Sequence, residues 1–416
     1  MKRLMQFIFC LSLLCSCQTA PKNDELLHVS ASSKQMSDLV SDYSLIVLET
    51  LDDNLILDPT VVKFTNKYIL ILDRFSPSKS LYVFDHKGKY VGKVGNKGEG
   101  PGEYIMPHQF VVDETNKKLY LRDMATNSML VYSLETFDFV EKLTIPFYAT
   151  CFELLDDKHF IWYVNAGLQN EGDFSKHIQI TDTKCNSVCS FMDVMNLPTR
   201  GTYNVISYFE RHDGDVLFHH PFSGSYYSCS SNDSQVLQFA YSLKFEGKPF
   251  PSLDYIIGHK ENIVKDLEAE GYIQWCDLLK NSSTYLSYWG SGKEIYWGKY
   301  DMANGTGWYV NRNELEDDLG IGNLSRPKTV YRDRFVSFIS LEDLDWENLS
   351  DNSIIKKHLE KNDVGGNPAI LLYRYEENIK ELDNSDFIKL TLTKMAYDLE
   401  AGLIHFKNEA DGLLGY

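Results

Sequence analysis

The chain is short of cysteine and of basic residues, and beyond its first residues it has no long apolar run. Each shortage excludes something. Eight cysteines in 416 residues include no CxxC pair, so neither a paired-thiolate zinc template nor a disulfide framework is written here. Among the five cysteines after Cys17, Cys185 and Cys189 lie nearest to each other. A bridge between them is open, and reduced thiols are the stronger alternative. Lysine and arginine total 41 against 59 acidic residues, a net charge of −18. Such a chain repels phosphate backbones, which excludes nucleic acid as an expected partner. No apolar run after the first residues reaches the roughly 20 needed to cross a bilayer as a helix. There is no GxSxG elbow, no HExxH and no catalytic-cysteine signature.

The first residues are different. Lys2 and Arg3 precede an apolar stretch, Met5 to Leu14, that ends in Leu14-Cys15-Ser16-Cys17. This resembles the lipobox of bacterial lipoprotein signal peptides. The resemblance implies cleavage after Ser16 and acylation of Cys17, with residues 1–16 as leader and 17–25 as a polar tether. The net charge of −18 becomes −20 once Lys2 and Arg3 leave with the leader. The expected location is the cell envelope, lipid-anchored, at the outer membrane.

From there strand signals dominate and recur. Lys67 to Asp73 (KYILILD), Leu81 to Asp85 (LYVFD) and Tyr90 to Val94 are separated by polar turns. About fifty residues later Lys118 to Asp123, Met129 to Ser133 and Phe137 to Leu143 repeat the layout. Adding Thr60 to Phe64 and Gln109 to Asp113 gives four strands in each unit. Fainter copies run from Cys151 to Val194, Tyr203 to Phe245, Thr284 to Asn311 and Thr329 to Tyr375. Four-strand repeats of roughly 40–50 residues predict an all-β, six-bladed β-propeller over 26–375. The last unit lacks an outer strand, which Leu45 to Glu49 can supply, pairing the start of the fold with its end. Leu253 to Leu279 and Leu341 to Leu359 have helical spacing and read as two insertions on one rim. Residues 376–416 form an extension whose structure the pattern leaves open.

One segment carries a family resemblance. Gly95 to Tyr104 reads GNKGEGPGEY, directly after the first unit. Its Gly95, Gly98, Gly100, Pro101, Gly102, Glu103 and Tyr104 resemble the G-x-x-G-x-G-P-G-E-[YF] loop of six-bladed propeller lipoproteins of Bacteroidota, which are similar to NHL-type propellers. The resemblance implies architecture and envelope location; it names no activity.

Candidate chemistry is sparse. Pro101 removes an amide from the glycine loop and a strand follows it, which argues against a phosphate cradle and for a connection between units. Asp73 and Asp123 close equivalent strands, so with a histidine such as His219 they would make a ring of ligands for Ca²⁺ or Zn²⁺. Local capping of each carboxylate is the stronger alternative. Tyr227, Trp289, Trp297 and Trp308 would suit sugar or peptide recognition if exposed; core packing is the stronger alternative. The expected function is a binding or scaffold propeller for an envelope protein, peptide or glycan, with no cofactor. The rival is a metal-dependent lyase or hydrolase at the channel mouth.

Overall fold

The structure, a computed structural model, describes residues 26–374 apart from 165–175, 194–208, 213–214, 220–221, 231–232, 260–261, 323, 343, 345, 348, 350, 352 and 360–365. Short apolar runs form antiparallel ladders. Pro59–Phe64, Tyr68–Asp73, Ser80–Asp85 and Tyr90–Lys93 pair in sequence order as a first group of four strands. Pro107–Asp113, Lys118–Asp123, Ser128–Ser133 and Phe139–Thr144 form the second. Ala149–Leu154, His159–Val164, Lys176–Asp182 and Ser187–Asp193 form the third. The middle strands of the first two groups are buried on both faces, whereas Phe139–Thr144 keeps most of its side chains toward water. A strand covered on both faces needs an unbroken apolar run, and YILILD is one.

The fourth group is Phe209–His212, Asp215–His219, Ser225–Ser230 and Asp233–Phe245; the fifth is Ile273–Lys280, Thr284–Ser291, Glu294–Asp301 and Thr306–Asn311. These two are not separate sheets. Leu26–Ala31 lies between them and pairs parallel with the last strand of each, making one sheet of nine strands. No sequence signal pointed to this strand, because its partners lie more than 200 residues away and no hairpin turn announces a parallel pairing.

The last group unites both ends of the folded region. Asp42–Val47 pairs antiparallel with Ala369–Arg374, followed by Arg334–Ile339 and Thr329–Tyr331. The closing strand is the one expected from LIVLE, set slightly earlier in the chain. Asn367 fastens it: its Oδ1 accepts from the Ile56 amide at 2.7 Å, and its Nδ2 donates to the Glu49 carbonyl at 2.9 Å.

Apolar clusters lie between neighbouring groups rather than inside any one of them. Leu70 and Leu81 of the first pack with Phe110 and Leu130 of the second. Tyr120 and Val131 of the second pack with Phe152 and Trp162 of the third. The series returns on itself, since Ile69 and Phe84 of the first group pack with Val336 and Ile370 of the last.

The helical expectations need correction. Residues 253–279 hold two short helices, Leu253–Gly258 and Ile263–Glu270, and the remainder turns into the strand Ile273–Lys280. Gly271, at φ 72°, ends the second helix in the left-handed conformation, so the chain leaves it at that point. Of 341–359, only Ile354–His358 is helical among the described residues. The described helices are all too short to cross a membrane. The tail 376–416, the leader and Cys17 lie outside the described residues.

Candidate functional site

The first strands of the first five groups, with Thr329–Tyr331 of the last, line one cavity of about 320 Å³. Its charge is unlike that of the whole chain. Lys63, Arg211, Lys280, Arg326 and Lys328 line it against three carboxylates, Glu153, Glu210 and Asp277. Some are matched. Lys63 Nζ donates to Glu153 Oε2 at 2.9 Å, reaching from the first group to the third. Arg326 Nη1 donates to Asp277 Oδ2 at 2.9 Å. The Arg211 guanidinium donates to the carbonyls of Leu154 and Leu155. Lys280 Nζ lies 5.3 Å from the centre of the Tyr285 ring. Burial pushes the Glu210 carboxyl well above the usual carboxylate range, with Asp277 adding to the shift and Lys63 opposing it. Burial also raises Asp277, against the pull of Arg326 and Lys328.

Lys328 stands apart. No hydrogen bond or ion pair within reach satisfies its ammonium among the described residues, and burial lowers it to about 8, with the Arg326 charge acting in the same direction. Asp58 and Asp277 pull the other way.

More cations gather where the lining strands begin. The register sets Asp73 opposite Pro59 and Arg122 opposite Gln109, so Arg74 and Arg122 lie at that end, beside Asp58 and His108. Arg326 and Lys328 immediately precede Thr329–Tyr331. Arg74 Nη1 reaches the His108 carbonyl at 3.4 Å, and Arg122 Nη1 donates to the Thr150 carbonyl at 3.2 Å. Arg122 is fully buried, yet its Nε and Nη2 have no hydrogen-bond partner among the described residues. Burial lowers both guanidiniums to about 10. It holds the His108 imidazole down to about 2, helped by the two arginine charges, so this histidine is neutral.

The residues expected to bind metal do not meet. Asp73 is buried and accepts from the amides of Leu57 and Ser76. Asp123 accepts from Ala125 and Thr126 of its own loop and from the amides of Ile105 and Met106 just before the second group. His219 stacks on Tyr226, its ring centroid 4.6 Å away, and its Nε2 donates to the Ser223 carbonyl at 2.7 Å. It shares a narrow recess with Glu210 and Asp277, away from both aspartates. Among the described residues no three His, Cys, Asp or Glu side chains come together closely enough to hold a metal ion. Each carboxylate is taken up by donors of its own loop and of the connection before its group, which is the reason the ring does not form.

Of the aromatic ligand-contact candidates, the two fully buried tryptophans follow the core-packing alternative. Trp289 and Trp297 are 0% and 1% exposed and pack in the core. Trp289 stacks on Tyr296 at 4.3 Å, and Trp297 meets Tyr288 edge-on at 4.8 Å. Tyr227 is half-buried against Phe239, and Trp308 is half-buried beneath Lys34. None of Cys151, Cys185, Cys189, Cys229 and Cys276 is joined in a disulfide.

The glycine loop is structural. Asn96–Lys97 and Glu103–Tyr104 pair in parallel. Glu103 folds back so that its Oε2 accepts from the Gly100 amide at 2.8 Å, rather than reaching into the cavity. Tyr104 is fully buried, its hydroxyl accepting from the Leu81 amide. Tyr132 of the second group donates its hydroxyl to the Gly102 carbonyl at 3.0 Å. Gly102 has φ 74°, and a Cβ there would lie 2.7 Å from that of Phe139. Gly102→Ala is therefore expected to cost about 2 kcal/mol, read from the urea midpoint. At Gly100 a Cβ would meet only the flexible end of Glu103, so Gly100→Ala should cost much less.

A four-strand pattern, a motif loop wedged between the first two groups and a fold closed by its own two ends now stand together, and the sequence profile of DUF4934, a domain of unknown function, matches residues 26–374. The chain belongs to the DUF4934 family. No curated protein matches this DUF4934 chain in sequence. A crystal structure of a Bacteroides fragilis NCTC 9343 protein designated as exported is similar, with a TM-score of 0.74 and 23% identity over 85% of this chain and 100% of that one. It shows that the fold is shared. A DUF4221 family member from Bacteroides vulgatus ATCC 8482 gives a TM-score of 0.49 and 8% identity over 81% of this chain and 97% of that one. The β-propeller domain of Myceliophteria thermophila Swd1 gives 0.33 and 11% over 60% and 68%.

Proposed function

We propose that this protein is a lipid-anchored cell-envelope lipoprotein, built as a six-bladed β-propeller, that binds a ligand in the cavity its inner strands enclose. The observation that carries the reading is the cavity itself. Six strands from successive groups each contribute to its lining. Splitting the nine-stranded sheet at Leu26–Ala31 leaves six groups of four, and the apolar clusters join each to the next. A rigid closed ring with ionisable side chains turned inward suits binding. The cavity volume, about 320 Å³, fits the small end of ligand pockets, so a glycan or peptide would enter as a short unit. Location rests on the lipobox-like Cys17 and on the likeness to an exported protein.

Two measurements test this. Metabolic labelling with a tritiated fatty acid should mark the wild-type chain and not Cys17→Ala, and the variant should leave the membrane fraction; label retained by Cys17→Ala would overturn the anchor. For binding, the detergent-extracted full chain is screened by thermal melting against short peptides, neutral sugars and sugar acids. A saturable rise that is lost when Glu210→Gln or Lys63→Met alters the cavity supports the site. Saturable binding unaffected by either change would place the ligand elsewhere and sink the cavity reading.

A further inference from the structure

Resting on that reading, we propose that the cavity end where the inner strands begin is an oxyanion site, with Lys328 as its principal contact, for a small organic anion bearing a carboxylate or phosphate group. The charge count there is lopsided. Arg74, Arg122, Arg326 and Lys328 gather at an end where Asp58 acts on Arg74 and Lys328, Asp277 on Arg326 and Lys328, and Asp123 on Arg122. Asp277 is engaged by Arg326 at 2.9 Å. Asp73 and Asp123 are occupied by donors of the loops around them, Leu57 for the first and Met106 and Thr126 for the second. His108 stays neutral and adds no negative charge.

Burying cations without partners is costly, and a chain with net charge −18 has carboxylates to spare. None is placed within hydrogen-bonding reach of Lys328 among the described residues. Arg122 keeps two unmatched nitrogens although fully buried, and Arg74 keeps its Nε unmatched. A structural ion-pair network would use those groups up. An oxyanion entering the cavity would instead satisfy the Lys328 ammonium by a charge-assisted hydrogen bond inside a low-dielectric enclosure, where such bonds are strongest. The arginines behind it supply field without needing contact. Volume limits the ligand to about one sugar or amino-acid unit.

Inorganic phosphate, glucuronate and glucose are the probes, titrated into the detergent-extracted full chain while melting temperature and heat of binding are followed. Phosphate and glucuronate should bind saturably and glucose should not. Lys328→Met should weaken both anions by roughly tenfold or more, the loss of one charge-assisted contact. If that variant fails to fold, acetylation of the wild-type protein serves instead: Lys328 should be modified readily at pH 8.5, and phosphate but not glucose should protect it. Absence of anion binding together with absence of protection would overturn the proposal. So would anion binding of equal strength in Lys328→Met. A neutral ligand from the earlier screen that binds wild type and Lys328→Met equally, but fails with Glu210→Gln, would leave the cavity as the binding site and remove the anion from it.

Discussion

Asp123→Ala is expected to destabilise the protein by about 4 kcal/mol, one of the largest effects of a single substitution here. The side chain is 1% exposed. Its Oδ1 accepts from the amides of Met106 at 2.9 Å and Ala125 at 3.1 Å. Its Oδ2 accepts from the Ile105 amide at 3.2 Å and the Thr126 hydroxyl at 3.0 Å. Alanine leaves these donors facing a void. Each stranded donor costs about 1–3 kcal/mol, reduced where water can enter. The hydroxyl of Thr126 keeps Ser128 as a partner at 2.6 Å, which spares part of the loss. Asp123→Asn retains one acceptor and should lose about half as much. Urea unfolding measures both. The result also bears on the cation ring expected from the sequence. If Asp123 were held for a metal, removing it would relieve repulsion in the metal-free protein, and stability would rise or stay level.

The reach of the sequence can be judged residue by residue. KYILILD and KLYLRD were legible because their strands are covered on both faces, which demands the apolar runs YILIL and LYL ahead of the buried charges at their ends. LIVLE was legible as the closing strand because an open array would have left an unpaired edge. The motif glycines were legible as backbone devices, and Gly95 and Gly102 sit at φ 60° and 74°. The first strand of the fifth group was not legible. Ile273–Lys280 carries Asp277 and Lys280 into the cavity, and those charges break its apolar pattern just where the preceding residues have helical spacing. The cavity was missed for the same reason. Lys63, Glu153, Glu210, Asp277 and Lys328 come from separate groups and meet only in space. The signal that could have found them is charge placed inside the first strand of a repeat, where packing alone would favour apolar residues. The tryptophans follow the stronger of their two alternatives: wedge-shaped gaps between groups require large side chains, so Trp289 and Trp297 are fully buried.

Lys328→Met is expected to raise stability at pH 7 by about 3 kcal/mol, and the gain should vanish by about pH 10.5. The sign follows from linkage. Burial lowers the folded-state ammonium from 10.5 to about 8, while the unfolded chain keeps the ordinary value. Between those values the unfolded state binds more protons, so wild-type stability rises with pH relative to a variant that cannot titrate. Below pH 8 the wild type carries the whole penalty, about 1.4 kcal/mol for each unit of difference. The charges acting on the amine are Arg326, Asp58 and Asp277, and all three remain in the variant. Methionine nearly matches the lysine stem in length, so packing changes little. Tyrosines that ionise above pH 10 are common to both proteins and cancel in the difference. Chemical denaturation of the pair from pH 7 to 10.5 measures the gap. A constant gap would mean that Lys328 is not held against its charge. Phosphate at about 100 times its wild-type dissociation constant should narrow the gap at pH 7 by about 1.3 kcal/mol or more, because it stabilises the wild type by about 2.7 kcal/mol and a variant that binds roughly tenfold more weakly by only about 1.4 kcal/mol. A site that costs the empty fold about as much as its ligand returns is one maintained for binding rather than for stability.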